Sequence, residues 1–178
     1  MTRGASAAHS CGMERTSWLT RARGSSDIAD AKGAPALRVA AQARARAAAD
    51  EAAADEARAR YRTQPMATLE PDSRIGPLLA AGEHVLSVRR SAVLDRRQAL
   101  LGADAPTGLA GDLYVTSRRL VLMGRYTLSF ALADIEEAML SGERLLLVMR
   151  DGQGASLDVG RPRLLRVEIA EARASSRA

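Results

Sequence analysis

Residues 111–124, GDLYVTSRRLVLMG, decide how the rest of this chain is read. Leu113, Val115, Leu120 and Leu122 recur at every second position, the period of a strand with one buried face. Tyr114, Val115, Thr116 and Val121 are aromatic or β-branched, the types that fit a pleated surface. Thr116-Ser117-Arg118-Arg119 interrupts them and is polar enough to turn the chain in water. The stretch reads as two strands joined by a solvent-facing turn.

Upstream, Asp72 or Ser73 can cap a short helix through Leu78, Leu79 and Ala80, ended by Gly82. A strand then runs from about Glu83 to Leu94, with Leu86, Val88, Ala92 and Leu94 on one face and Val85, Arg89 and Val93 on the other. Asp95 ends it. Arg96-Arg97 open a long loop holding Gly102, Pro106 and Gly108, and long loops on a rigid scaffold are where binding tends to be placed.

Downstream, Gly124-Arg125 turns into a strand over Tyr126 to Leu132, and Asp134 to Leu140 makes another, or one helical turn. Ser141-Gly142-Glu143 leads into the apolar run Arg144 to Arg150, and Asp151-Gly152 is a hairpin signal before Ala155, Leu157 and Val159. Pro162 then suits a first helical turn, with Leu164, Leu165, Glu168, Ile169 and Ala172 at helical spacing. About seven short strands and one amphipathic helix predict a mainly β domain over 72–174, a small barrel plugged by its terminal helix.

The N-terminal third differs. Met1 to about Gly33 is rich in Ser, Ala, Gly and Arg, and reads as disordered. Ala36 to Arg62 is strongly helix-forming, with Arg46 four residues before Asp50 and Glu56 four before Arg60. Leu37, Val39 and Tyr61 make no continuous apolar stripe, so this helix is expected to stay solvated, with a coiled-coil or partner-binding helix as the alternative. Residues 1–65 thus form a low-complexity, disordered then helical extension, and Met66 offers an alternative start for a compact domain.

Composition narrows the classes. Hydrophobic residues are 47% of the 178, but much of this is alanine, and aromatics are only 3%. The single Cys, Cys11, excludes an internal disulfide framework and a Cys-based zinc site. Neither a secretion signal nor an apolar run of membrane-spanning length is visible, so a cytoplasmic location is expected. Net charge is +5, and apart from Lys32 every one of the 26 basic residues is arginine. That is the mark of a GC-rich, bacterial genome, and it weakens any argument from arginine content towards nucleic acid.

The run GDLYVTSRRLVLMG followed by LSFALADIEEAML resembles the pleckstrin-homology (PH)-like superfamily, in particular GRAM-type and bacterial PH-like domains. Tyr114, Thr116, Arg119, Leu120, Asp134 and Ile135 match best, within a likeness spanning about Arg74 to Ala174. The resemblance implies a split barrel with a C-terminal helix, and a binding module rather than an enzyme. It also implies that the loop after the first strand and the start of the second could meet lipid phosphates, which would place Arg90, Arg96 and Arg97 at that end, with Arg125 as a further candidate. Arginine forks suit phosphate oxygens. Against this, the second strand begins Gly111-Asp112-Leu113 without a basic pair, and neighbouring arginines such as Arg89 and Arg90 diverge on a strand.

Catalytic chemistry finds little support. His84 stands without a second His or a Cys near it, and Glu136-Glu137 are strand neighbours rather than a facing carboxylate pair. Neither a cofactor nor a metal is expected. The leading expectation is a non-enzymatic binding module, acting by protein contact or by weak association with an anionic membrane at the inner face. The alternative is a self-assembling interaction protein. Nucleic-acid binding through the Arg-rich N-terminal segment ranks third, since that segment also carries Asp50, Glu51, Asp55 and Glu56 and lacks a stacking platform.

Overall fold

A computed structural model describes residues 26–96 and 108–176. Arg97, Gly102 and Pro106 of the long loop lie outside the described residues, as does most of the segment expected to be disordered. The chain divides into two compact units, residues 1–42 and residues 43–178. In the first, the described backbone is helical. Helix α1 (Ser26–Tyr61) begins ten residues before the expected Ala36 and carries Pro35 inside it, which removes one backbone donor without ending the helix. Leu37 and Val39 on it are 72% and 65% exposed.

The second unit is built on one seven-stranded antiparallel sheet. Its strands are β1 (Val85–Arg96), β2 (Leu109–Thr116), β3 (Arg119–Gly124), β4 (Thr127–Ala131), β5 (Ile135–Ser141), β6 (Arg144–Met149) and β7 (Gly154–Asp158), followed by helix α2 (Pro162–Ser175). The seven strands and the terminal helix are as expected. Spatial order is β4-β3-β2-β1-β7-β6-β5, so a four-strand meander and a three-strand meander are joined where β1 meets β7.

The expected barrel does not close. β4 and β5 are the two edges of the sheet. A 3-10 turn over Leu132–Asp134 carries the chain between them, held by Leu132 N–H on the Arg118 carbonyl and Arg150 N–H on the Asp134 carbonyl. Those bonds tie the corner to turns of other strands instead of pairing β4 with β5.

Helix α2 fills the concave side. Leu165, Ile169 and Ala172, four and three residues apart, pack with Leu94, Leu113, Leu120, Leu122, Leu145 and Leu157 in the main core. A second cluster of Ile75, Val85, Tyr114, Val121 and Met123 lies on the opposite face of β1–β3. It is covered by the segment before β1, whose Leu69 bridges Val85 and whose expected helix is one 3-10 turn (Gly76–Leu78). Burial on both faces is why β3 holds a continuous run of four buried residues, Leu120–Met123, rather than an alternation.

Two bulges in β1 overturn the simple alternation expected there. Register against β2 slips between Val85 and Ser87 and again between Arg89 and Ala92, where Ser91 takes a φ of 58°. Each extra residue resets the faces. Val85 and Val88 therefore join the outer cluster, while Leu86, Ala92 and Leu94 face the main core.

Residues 50–61 of α1 belong to the second unit and do pack, contrary to expectation. Ala54 and Ala57 are 0% and 2% exposed against Val167 of α2, with Tyr61 and Leu164 at the margin. No long apolar stripe is needed, because alanines let two helices approach closely. Asp50, 3% exposed, accepts the backbone N–H of Arg163 at 2.8 Å and of Leu164 at 3.1 Å. It thereby caps a helix whose own N-cap residue, Arg161, has a left-handed backbone and makes no side-chain cap.

Candidate functional site

Register places three connections at one end of the sheet. Leu94 opposite Leu109 sets the β1–β2 loop there, and Gly111 opposite Gly124 brings the β3–β4 turn beside it. Arg96 opposite Ala155 adds the β6–β7 turn. The paired glycines allow the close approach: a Cβ on Gly111 would stand 2.5 Å from the Met123 carbonyl oxygen, and one on Gly124 would overlap the Ala110 carbonyl. Of the four arginines named from sequence, Arg97 and the side chain of Arg96 lie outside the described residues.

Arg90 is committed elsewhere. Its Nη1 donates to Asp112 Oδ2 at 2.6 Å and its Nη2 lies 3.8 Å from Asp72 Oδ2. Arg74 joins the same group, donating to Asp112 Oδ2 at 2.9 Å and to the Met123 carbonyl at 3.1 Å. Asp72 accepts Tyr114 Oη–H at 2.7 Å and the N–H groups of Arg74 and Ile75. Two cations thus meet two carboxylates. Tyr114, with the N–H groups of Ile75 and Arg74 and the charge of Arg90, holds the Asp72 carboxyl below its ordinary range. Burial pushes Asp112 up, but Arg90, Ser91 N–H and Arg74 outweigh it and the net shift is downward. Arg89 faces the other way, donating to Glu168 of α2 at 2.6 Å beside Ser87.

Arg125 is different. Its guanidinium lies 5.6 Å from the ring centre of Tyr126, which is 51% exposed, and it makes no ion pair among the described residues. Arg150 in the β6–β7 turn likewise has no ion pair among them. A cavity of about 340 Å³ opens beside this turn, floored by Phe130, Met149 and Ala155 and rimmed by Asp134, Arg150, Asp151 and Gln153.

The opposite end of β2–β3 is an anchor: Arg118 in the turn is exposed as expected, but the flanking Thr116 and Arg119 are drawn into the protein. Thr116 is fully buried. Its Oγ1 lies 2.6 Å from Glu83 Oε1 and accepts the N–H groups of Arg118 and Arg119. Arg119 grips both Glu83 oxygens, at 2.9 and 3.0 Å, and donates to the Leu78 carbonyl. Ala80 N–H also donates to Glu83. Burial raises the Glu83 carboxyl, yet these donors overcome it and leave it below its usual range. His84 and Ser117 complete the clasp through backbone and hydroxyl bonds. Sequence reasoning named Asp72 as a cap, and its carboxylate does take the N–H groups of Arg74 and Ile75, but the link to Tyr114 and the ion-pair roles of Glu83, Asp112 and Glu168 were missed. The available signal was an acid beside apolar positions that an Arg, Thr or Tyr elsewhere had to satisfy.

A four-strand and a three-strand antiparallel meander in one sheet, with a helix closing the concave side, make a PH-like fold. No family model matches the sequence, and no curated protein matches it. Among solved structures, the chain is similar to the Vps36 N-terminal PH domain, at 19% identity over 61% of this chain and 92% of that one, with a TM-score of 0.47. It is similar at 15% identity to the C-terminal domain of a Leishmania infantum protein, over 55% of this chain and 90% of that one, with a TM-score of 0.41. The PH domain of USP37 follows at 16% identity over 49% and 95%, with a TM-score of 0.38. Among the described residues no helix is long and apolar enough to cross a membrane.

Proposed function

We propose that this protein is a non-enzymatic, GRAM-type PH-like binding module, bacterial and cytoplasmic, which makes protein contact through the end of the sheet carrying Arg125 and Tyr126. The observation that carries the reading is the neutralisation of Arg90. With Arg90 and Arg74 held by Asp72 and Asp112, the described residues of this end offer Arg125 and Arg150 rather than a converging set of forks for a phosphate. An exposed tyrosine beside an arginine on a strand turn is the residue chemistry of a protein interface. A second reading, weak association with an anionic inner membrane face, rests on Arg96, Arg97 and Arg125 together, each worth about 1 kcal/mol near such a surface.

Two measurements on the full chain separate these readings. Affinity capture from a bacterial lysate with wild-type protein and with an Arg125→Glu, Tyr126→Ser variant is expected to give a partner that the variant loses. Sedimentation with vesicles of neutral and anionic lipid is expected to show little binding at moderate salt. Strong anionic binding abolished by Arg96→Glu, Arg97→Glu would replace protein contact with the membrane reading. Loss of neither interaction in the variants would remove this end of the sheet as the site.

A further inference from the structure

The contact between residues 50–61 and α2 has the features of a ligand seated on a site. It is a narrow strip: Ala54 and Ala57 on Val167, with Leu164 and Tyr61 beside them. Open space flanks it at both ends. One cavity of about 490 Å³ lies between Arg46, Ala49 and Asp50 and the stretch Asp158–Pro162. Another of about 450 Å³ lies between Arg58, Tyr61 and Arg62 and the residues Val167, Ala170 and Glu171 of α2. Both are clefts open to solvent, so the strip is bordered by water rather than by further packing. What fixes the strip in register is polar. Asp50 holds the two N–H groups of Arg163 and Leu164, and the Arg163 side chain reaches Asp50 at 3.7 Å, Glu51 at 3.2 Å and Glu143 at 3.1 Å.

We propose that the outward face of α2, from Arg163 to Ala170, is a helix-docking surface for which residues 50–61 are a resident and exchangeable ligand. The partner it fits is a helix offering a carboxylate followed by small residues four and seven positions on, the spacing of Asp50, Ala54 and Ala57. That spacing seats the carboxylate on the first turn of α2 and lays the small residues along Val167. The clefts at either end leave room for larger side chains flanking this motif in an outside helix. The resident holds its place through its covalent tether, which keeps its effective concentration high. This surface is separate from the Arg125–Tyr126 end, and its test is independent of that reading.

The probe is a labelled peptide of residues 43–62, read by fluorescence anisotropy against the full chain. An Ala54→Glu, Ala57→Glu chain, in which the resident helix is pushed off, is the acceptor, and amide exchange of β1–β3 reports whether its sheet remains folded. The peptide is expected to bind this chain at least about tenfold more tightly than wild type, whose own helix competes. An Asp50→Asn peptide is expected to lose about tenfold or more, the loss of charge on two hydrogen bonds. The proposal fails if the peptide does not bind the folded variant, or if the Asn peptide binds equally. It also fails if the variant loses sheet protection, since residues 50–61 would then be part of the structural core. In that event wild-type exchange confirms the point: amides of residues 47–61 would open only with the sheet, not before it.

Discussion

Glu83 shows how one buried carboxylate can decide the shape of a loop. It is 5% exposed, and Arg119, Thr116 and Ala80 supply its donors. Removing it takes both carboxylate contacts from the Arg119 guanidinium, which keeps the Leu78 carbonyl, and leaves the buried Thr116 hydroxyl to the Arg119 carbonyl. Because the Arg119 side chain is 30% exposed, water recovers part of that loss. Glu83→Ala is therefore expected to cost about 2–3 kcal/mol, below the full cost of breaking a sealed ion pair, measured as the shift in urea midpoint at constant slope. Tyr114→Phe removes only the bond to Asp72 and keeps the ring among Ile75, Val85 and Val121, so about 1 kcal/mol is expected. Gly124→Ala is harsher. Its Cβ would overlap a carbonyl that belongs to the neighbouring strand, and the backbone has to part there. A loss of about 2 kcal/mol or more is expected, with Arg125 and Tyr126 displaced alongside.

At the level of elements, periodicity carried most of the fold. The alternation through Leu113–Val115 and Leu120–Leu122, the Asp151-Gly152 turn and the 3.6-residue spacing of Leu165, Ile169 and Ala172 are local signals, and the strands and helix stand where those signals put them. What local pattern could not report was long-range. The faces of β1 depend on two bulges that only pairing with β2 defines. Thr116 reads as a turn residue until Glu83, 33 positions earlier, is found against it. Helix α1 lacks a stripe of large side chains, and only the uncapped start of α2, 113 residues away from Asp50, gives that helix a reason to dock. The candidate site was legible in part. Arg125 stands exposed beside Tyr126, whereas Arg90 is spent on Asp112, an acid visible in the sequence whose distance from Arg90 was not.

For the molecule as a whole, three carboxyls share a sign. Asp72, Glu83 and Asp112 are each held below their ordinary values in the folded state. A depressed folded pKa contributes stability that is complete above the unfolded value of about 4, and is lost as pH falls through the lower folded value. The melting temperature is expected to be level from about pH 7 to 5 and to fall steeply below about pH 4. Glu83→Gln is expected to start lower and to fall less over the same range. A wild-type profile without that fall would mean these pairs add nothing net to folding.

The join between β1 and β7 has a consequence for how the protein comes into being on the ribosome. Among the described strands β1 is synthesised first and β7 last, and the pairing of these two links the meanders. Until residue 158 has left the exit tunnel, β1 carries a bare inner edge. Until α2 follows, the leucines of both meanders lack their cover. A nascent chain stopped short of α2 is then a collection of sticky hairpins, and the burden of keeping it from its neighbours falls on chaperones. Completion of the domain waits for α2, so the sheet and its cover come together late in the synthesis of this domain.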